Sequence, residues 1–242
     1  MPTQNPGAHE GTVTRPASHP ACGMCFFKPH CLPAELDGDD LASFERAISR
    51  QPRPVRAGQV MVRQGNAMHA LYALRVGSLK AIINSADGNE RVVGFRFPGA
   101  VIGLAEPEHT AWARTFVALE DTWLCRIPVE TLDDPVRRQL VKLMSERLRR
   151  EYDYHLALAF KTSAEKLVSF LLEISENCQR RHLAAQRFNL PMHYTDVASY
   201  LGMRHESVCR TLGELQRRGL VEREGKRIHI PSLGALRSSC GM

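Results

Sequence analysis

The amino-acid sequence predicts an α+β chain: an N-terminal antiparallel β-roll (jelly roll) domain, one long helix, and a C-terminal winged helix-turn-helix. Three observations carry this. Between residues 55 and 127, short β-rich runs alternate with glycine-bearing turns at Gly58, Gly65, Gly77, Gly88, Gly99 and Gly103, the punctuation of an antiparallel roll. From 134 to about 160 the apolar period changes to three and four. Near the C-terminus, two short helical segments flank Gly202 and precede a basic hairpin.

Bulk properties narrow the class further. At 242 residues the chain has room for two domains that each bury a core. No run approaches the roughly 20 apolar residues of a membrane span, so no membrane role is expected. Residues before Cys22 are polar and rich in Pro, Gly, Thr and His, unlike the apolar core of a secretory signal, and a cytoplasmic location is expected. In that reducing compartment, seven cysteines favour metal ligation or redox chemistry over a disulfide framework. Charge is uneven: from Lys161 onward there are 13 Lys and Arg against 8 Asp and Glu, whereas the first 160 residues hold 19 against 18. A polyanion would bind the last third by releasing counterions; a merely solvated basic face has the same composition.

Residues 1–21 read as a flexible leader, without hydrophobic period and broken by Pro and Gly. Residues 22–33 form a loop bearing Cys22-x2-Cys25-x5-Cys31, with Phe26 and Phe27 placed either to shield a buried centre or to anchor the loop. Leu41, Phe44 and Ile48 give one apolar face to a helix over about 39–49. Within the roll, Asp87-Gly88 between 79–83 and 91–97 is the clearest hairpin. The last strand, 122–127, alternates Trp123, Cys125 and Ile127 with Leu124 and Arg126. Cys125, 94 residues after Cys31, thus shares a face with two bulky apolar neighbours.

Asp134 reads as a helix cap with Pro135 at the first helical position. A helix from there to about 160 would measure roughly 39 Å. Leu140, Met144, Leu148, Tyr152, His155 and Ala159 recur along it at spacings of three and four, a stripe suited to pairing with a second copy or to packing on its own domain. Arg147, Arg149, Arg150, Glu151 and Asp153 crowd this seam with charge. Thr162-Ser-Ala-Glu165 has the spacing of a capping box and opens a helix to about 181, whose Leu167, Phe170, Leu171 and Ile174 supply a second core.

A helix over 195–201, capped at Thr195, and another over 206–217 flank Gly202. Ala198, Gly202 and Val208 provide the small residue, the positive-φ glycine and the apolar residue that two closely approaching helices demand. Arg223, Lys226 and Arg227, in a hairpin wing over 221–230, would meet phosphates. Arg204, His205, Glu206, Ser207, Cys209 and Arg210 lie at the exposed start of the second helix. Arg grips guanine O6 and N7 in two bonds, and a carboxylate accepts from cytosine N4. Glu206 and Arg210 therefore either read adjacent base pairs or, at i and i+4, close a surface salt bridge. The chain divides into a leader (1–21), a cysteine loop and sensory roll (22–132), a dimerisation helix (133–160) and a DNA-binding domain (161–242).

Four soft thiolates suit zinc or iron–sulfur. A cubane takes one external ligand for each iron, whereas structural zinc draws on local ligand pairs; unligated thiols are the remaining reading. His30 is the candidate to replace a cysteine. No nucleotide loop, Ser-His-Asp arrangement or metalloprotease spacing stands out, so no enzyme is expected.

The order of parts resembles the cyclic-AMP receptor protein superfamily, and within it the fumarate-and-nitrate-reduction type of regulator, over residues 22–230. The marks are the three N-terminal cysteines with Cys125 in Trp123-Leu-Cys-Arg-Ile-Pro128, the stretch Gly94-Phe-Arg-Phe-Pro-Gly99, and Tyr200-Leu-Gly-Met-Arg-His-Glu-Ser-Val-Cys-Arg-Thr-Leu212. The resemblance implies a 4Fe-4S cluster on Cys22, Cys25, Cys31 and Cys125, a homodimer, and palindromic double-stranded DNA of TTGAT-N4-ATCAA type as partner. It implies too that dioxygen degrades the cluster and ends dimeric DNA binding, and that RNA polymerase is a further partner, touched by the Asp87-Gly88 turn. Two departures stand out. Cys209 replaces the serine of the family's Glu-x-x-Ser-Arg, and a thiol is a weaker donor than a hydroxyl. The dimer seam is charged, although Asp153 falls where the family tolerates an acid. The cyclic-nucleotide branch carries Gly-Glu with Arg-Ser or Arg-Thr; here Leu104 follows Gly103, and only Arg114-Thr115 survives. A heme-dependent gas sensor on the same fold is the other alternative.

Overall fold

The computed structural model describes residues 21–50, 53–85, 88–104 and 111–240, without the side chains of Thr131, Arg150 and 153–160. Nearly all of the expected leader, and Asp87 of the expected hairpin turn, lie outside the described residues. Two 3₁₀ turns, Cys22–Met24 and Lys28–His30, lead into helix α1 (Gly38–Ala47). Strands β1 (Ser49–Arg50), β2 (Val60–Val62), β3 (Ala70–Val76), β4 (Leu79–Asn84), β5 (Glu90–Arg96), β6 (Val101–Ile102), β7 (Thr115–Ala118) and β8 (Trp123–Pro128) follow. They form two antiparallel sheets, ordered β1-β8-β3-β6 and β2-β7-β4-β5. Leu71, Leu74, Leu124 and Ile127 from one sheet share a buried core with Leu79, Ala81, Phe116 and Ala118 from the other, as the alternation of inward side chains demands. The expected β-roll is therefore observed. Gly77 makes the turn from β3 to β4 at φ +89, where an added Cβ would collide with the backbone of Asp121 and Thr122; only glycine fits.

Helix α2 spans Asp134–Phe160. Its cap is Asp133 and not Asp134: Asp133 is extended and its carboxylate accepts the Val136 N–H at 3.2 Å, which leaves Asp134 inside the first turn. Leu140 is buried in the roll core, so the stripe that faces outward consists of Val141, Met144, Leu148 and Tyr152, each 41–69 % exposed. Two of the charges expected to crowd that seam turn the other way. Arg147 Nε bonds Glu151 Oε1 at 2.9 Å, and Arg96 of β5 approaches the same carboxylate at 3.7 Å. Burial, then the Arg147 charge, pulls the Arg96 guanidinium down to about 9.

Helix α3 (Ser163–Arg180) opens on the expected capping box of Thr162 and Glu165. Strand β9 (Arg187–Asn189), helix α4 (Tyr194–Leu201), helix α5 (His205–Arg217), the wing strands β10 (Glu222–Glu224) and β11 (Arg227–His229), and helix α6 (Leu233–Ser238) complete the chain. Helix α4 begins one residue earlier than its sequence reads. His193 is the cap, its N–H donating to Asp196 Oδ2 at 3.2 Å, and Thr195 sits exposed in the first turn. Strand β9 pairs with β11 and turns the wing into a three-stranded sheet.

The second core, built on Leu171, Val197, Val208 and Leu212, takes in Phe95, Phe97 and Leu119 from the roll. Ser199 Oγ accepts the Val92 N–H at 3.0 Å, and Phe95 packs between Phe170 and Tyr200 at centroid distances of 5.8 and 5.3 Å. The helix-turn-helix thus rests on β4 and β5. Among the described residues no helix is long and apolar enough to cross a membrane.

Candidate cysteine centre and nucleic-acid interface

The N-terminal loop folds as consecutive i to i+3 turns. The N–H groups of Cys25, Lys28 and Cys31 donate to the carbonyls of Cys22, Cys25 and Lys28 at 2.9–3.0 Å. Residues three apart eclipse in such turns, so Cys22, Cys25, Lys28 and Cys31 share one side. That side is pinned from three directions: Gly23 N–H donates to Glu45 of α1 at 3.1 Å, Lys28 Nζ to the Leu36 carbonyl at 2.7 Å, and Gln139 Nε2 of α2 to the Cys31 carbonyl at 3.4 Å. Lys142 of α2 adds an exposed pair with Glu35 at 3.3 Å.

Beneath the loop, β8 delivers Cys125. Its partners across the sheet are Arg50 on β1 and Ala73 on β3. All four cysteines line a single cavity, walled by Phe27, Phe44, Ile48 and Ile127. Of the two loop aromatics, Phe27 lines the cavity and lies against Gly99, whereas Phe26 is 52 % exposed and meets His182 edge-on at 5.2 Å. Cys125 is buried and the three loop cysteines are half-buried as residues, although the Cys31 sulfur itself is enclosed. Burial pushes Cys31 up to about 12 and Cys22 up to about 11, and raises Cys125. These thiols resist ionisation unless a cation compensates, and binding one would release protons. His30 is exposed on the loop and does not line the cavity.

Three features near this cavity have no signature along the chain. Arg50 and Arg75 place positive charge beside Cys125, and Gln139 ties the loop to α2. Each is brought there by strand pairing or helix docking, not by spacing to a cysteine.

In the C-terminal unit, α5 presents an outward face. Val208, Leu212 and Leu215 fix its inner side in the core, while Arg204, His205, Glu206 and Arg210 are exposed and Ser207 and Cys209 half-buried. Gly202 makes the turn at φ +63, the left-handed conformation glycine adopts without cost. Glu206 and Arg210 form no salt bridge with each other among the described residues, and both remain available outward. Cys209 Sγ lies 3.5 Å from His205 Nε2 one turn back. On the wing, Arg223, Lys226 and Arg227 are all exposed. The Arg223 guanidinium stands 5.7 Å over the Tyr194 ring, and Lys226 Nζ donates to the Pro191 carbonyl at 3.1 Å, so these two cations are already held in place.

The Crp-like helix-turn-helix domain family matches residues 165–239, and the cyclic nucleotide-binding domain family matches 52–139. The chain is 34 % identical over 221 residues to the transcriptional activator protein anr of Pseudomonas aeruginosa, with 89 % of each chain covered. It is 31 % identical over 229 residues to the fumarate and nitrate reduction regulatory protein of Escherichia coli, covering 91 % of this chain and 90 % of that one. Its fold matches the solved structure of FixK2 from Bradyrhizobium japonicum with a TM-score of 0.70 and 25 % identity, over 78 % of this chain and 96 % of that one. With a roll, a long helix and a winged reader in the same order, the chain belongs to the Anr and fumarate-and-nitrate-reduction family of DNA-binding transcriptional regulators, and it is not an enzyme.

Proposed function

We propose that this regulator responds to oxygen through a 4Fe-4S cluster held by Cys22, Cys25, Cys31 and Cys125, and that the loaded form dimerises and binds palindromic DNA of TTGAT-N4-ATCAA type. The observation that carries the reading is the convergence of Cys125 with the three loop cysteines on one apolar cavity. No group of three or more His, Cys, Asp or Glu among the described residues is arranged to hold a metal ion. A cubane asks for a different layout: each thiolate meets its own iron, so the sulfurs stand around a space instead of converging on a point. The cavity is about 30 Å³, smaller than the group, so seating it requires the cavity walls to part. When bound, the cluster would supply an oxygen-labile centre.

The chain's own residues would link that centre to pairing. Cys31 is joined to α2 through Gln139, four residues before Leu143 and within reach of the exposed stripe at Val141, Met144, Leu148 and Tyr152. Apolar stripes left exposed at such spacing mark a protein partner, here a second copy. Asp153, His155 and Ala159 would extend the seam. Two copies place two α5 helices on the two half-sites of a palindrome. Glu206 and Arg210 would read bases, with Cys209, His205, Ser207 and Arg204 beside them; Thr195, Arg223, Lys226 and Arg227 would hold phosphates. The turn at Gly88 would contact RNA polymerase. The match to cyclic nucleotide-binding domains accords with the roll's architecture, since Met68, Leu71, Trp112 and Phe116 fill the roll's interior.

The test is anaerobic purification followed by iron and sulfide counts and by DNA binding before and after air. About four irons per chain and binding lost on exposure are expected. Iron-free protein that is indifferent to air would reject the proposal.

A further inference from the structure

Arg50 is a feature of the cysteine site that the thiols do not explain. It ends β1, and its Cα is paired with that of Cys125 in the antiparallel β1–β8 ladder. Residues directly opposite project to the same face, with Cβ atoms about 4.5–5.5 Å apart. Its guanidinium does not line the cavity, but it lies close enough for its charge to act on both Cys125 and Cys22. Yet Arg50 Nη2 is buried and has no hydrogen-bond partner. A buried donor nitrogen without an acceptor costs stability, so the polypeptide alone leaves this one atom unsatisfied.

We infer that Arg50 is a positioning residue of the cluster site, its guanidinium donating to sulfur at Cys125 and Cys22 and offsetting the negative charge of the thiolate-held group. This rests on the cluster reading above. A cubane with four thiolates carries a net charge of about −2, and a cation in a water-poor pocket stabilises it more than it would in water. Hydrogen bonds to the sulfurs and local charge also set the potential, so Arg50 should favour the reduced, more negative state. Arg75, hydrogen-bonded to Cys125, acts from the same side.

The test compares full-length wild type, Arg50→Gln and Arg50→Lys, purified without air. Three quantities are read: the rate of iron transfer to a chelator, the midpoint potential, and the melting temperature of the metal-free protein. Arg50→Gln is expected to release iron on the order of 10–100-fold faster and to show a more negative potential. Its metal-free form should melt no lower than wild type, because an unsatisfied donor has been removed; a purely structural arginine would give the opposite sign. Arg50→Lys should keep the potential and release iron at an intermediate rate. Should the Gln variant fail to fold, faster release from the Lys variant supports the inference and unchanged release overturns it. Equal release rates and potentials in all three iron-loaded proteins overturn the role of Arg50 while leaving the cluster intact. Wild type without iron overturns both.

Discussion

Lys80 on β4 reaches Asp196 at the head of α4 at 2.6 Å, with side chains only 22 % and 9 % exposed, so one ion pair fastens the β-roll to the helix-turn-helix domain. Breaking it strands a charge in a mostly dry interface. Because Lys80 keeps some contact with water, Asp196→Asn should cost less than the 3–5 kcal/mol of a fully buried pair, about 1–3 kcal/mol. A double-mutant cycle with Lys80→Met, read by denaturant unfolding, checks whether the loss belongs to the pair. Limited proteolysis between α2 and α3 should speed up in the single variants.

Each of Cys22→Ala, Cys25→Ala, Cys31→Ala and Cys125→Ala should abolish iron retention and the difference between aerobic and anaerobic DNA binding. Cys178→Ala and Cys240→Ala should leave both unchanged, since neither lines the cavity. Iron per chain and gel-shift titrations decide this.

The raised thiols make a pH prediction for the metal-free protein. Cys31 is pushed up to about 12 and Cys22 to about 11 from an ordinary value of 9.0. Above pH 9 the unfolded chain binds fewer protons than the folded one, so stability is fully present below about 9 and is lost as pH climbs toward 12. Melting curves across that window should fall, and Cys31→Ser should flatten the fall. An unchanged slope in that variant would contradict a buried Cys31.

Met144→Asp and Leu148→Asp should each weaken self-association by about 2 kcal/mol while leaving subunit stability within about 0.5 kcal/mol, because both side chains are exposed in one subunit. Leu140→Ala should do the reverse, costing about 2–5 kcal/mol of subunit stability. Sedimentation equilibrium and chemical unfolding separate the two effects.

On the reading face, Arg210→Ala should cost about 1–3 kcal/mol at the specific site and relax preference at one base pair, whereas Arg227→Ala should weaken all sequences alike and reduce the salt slope by about 1. Cys209→Ser restores a stronger donor and should sharpen discrimination at its own base pair by roughly 1 kcal/mol. Competition titrations against single-base variants measure each.

Local chemistry made much of this protein legible along the chain. Glycine spacing announces the roll, Thr162 and Glu165 announce α3, and the Ala198, Gly202 and Val208 triplet announces the reader, because each effect acts within a few residues. The three loop cysteines could be grouped in advance for the same reason. What stayed hidden depends on partners far apart in sequence. Strand β9 is three residues long and exists through its pairing with β11. Asp133 outcompetes Asp134 as a cap by one residue of backbone geometry. Leu140 leaves the exposed stripe of α2 because the roll claims it, and Arg147 turns inward to Glu151. Resemblance to a known family, and no local spacing, joins Cys125 to the loop cysteines; that they share one cavity, and that Arg50 meets Cys125, follows from strand register. A register is set by the balance of a whole sheet against its core, and no short window of residues contains that balance.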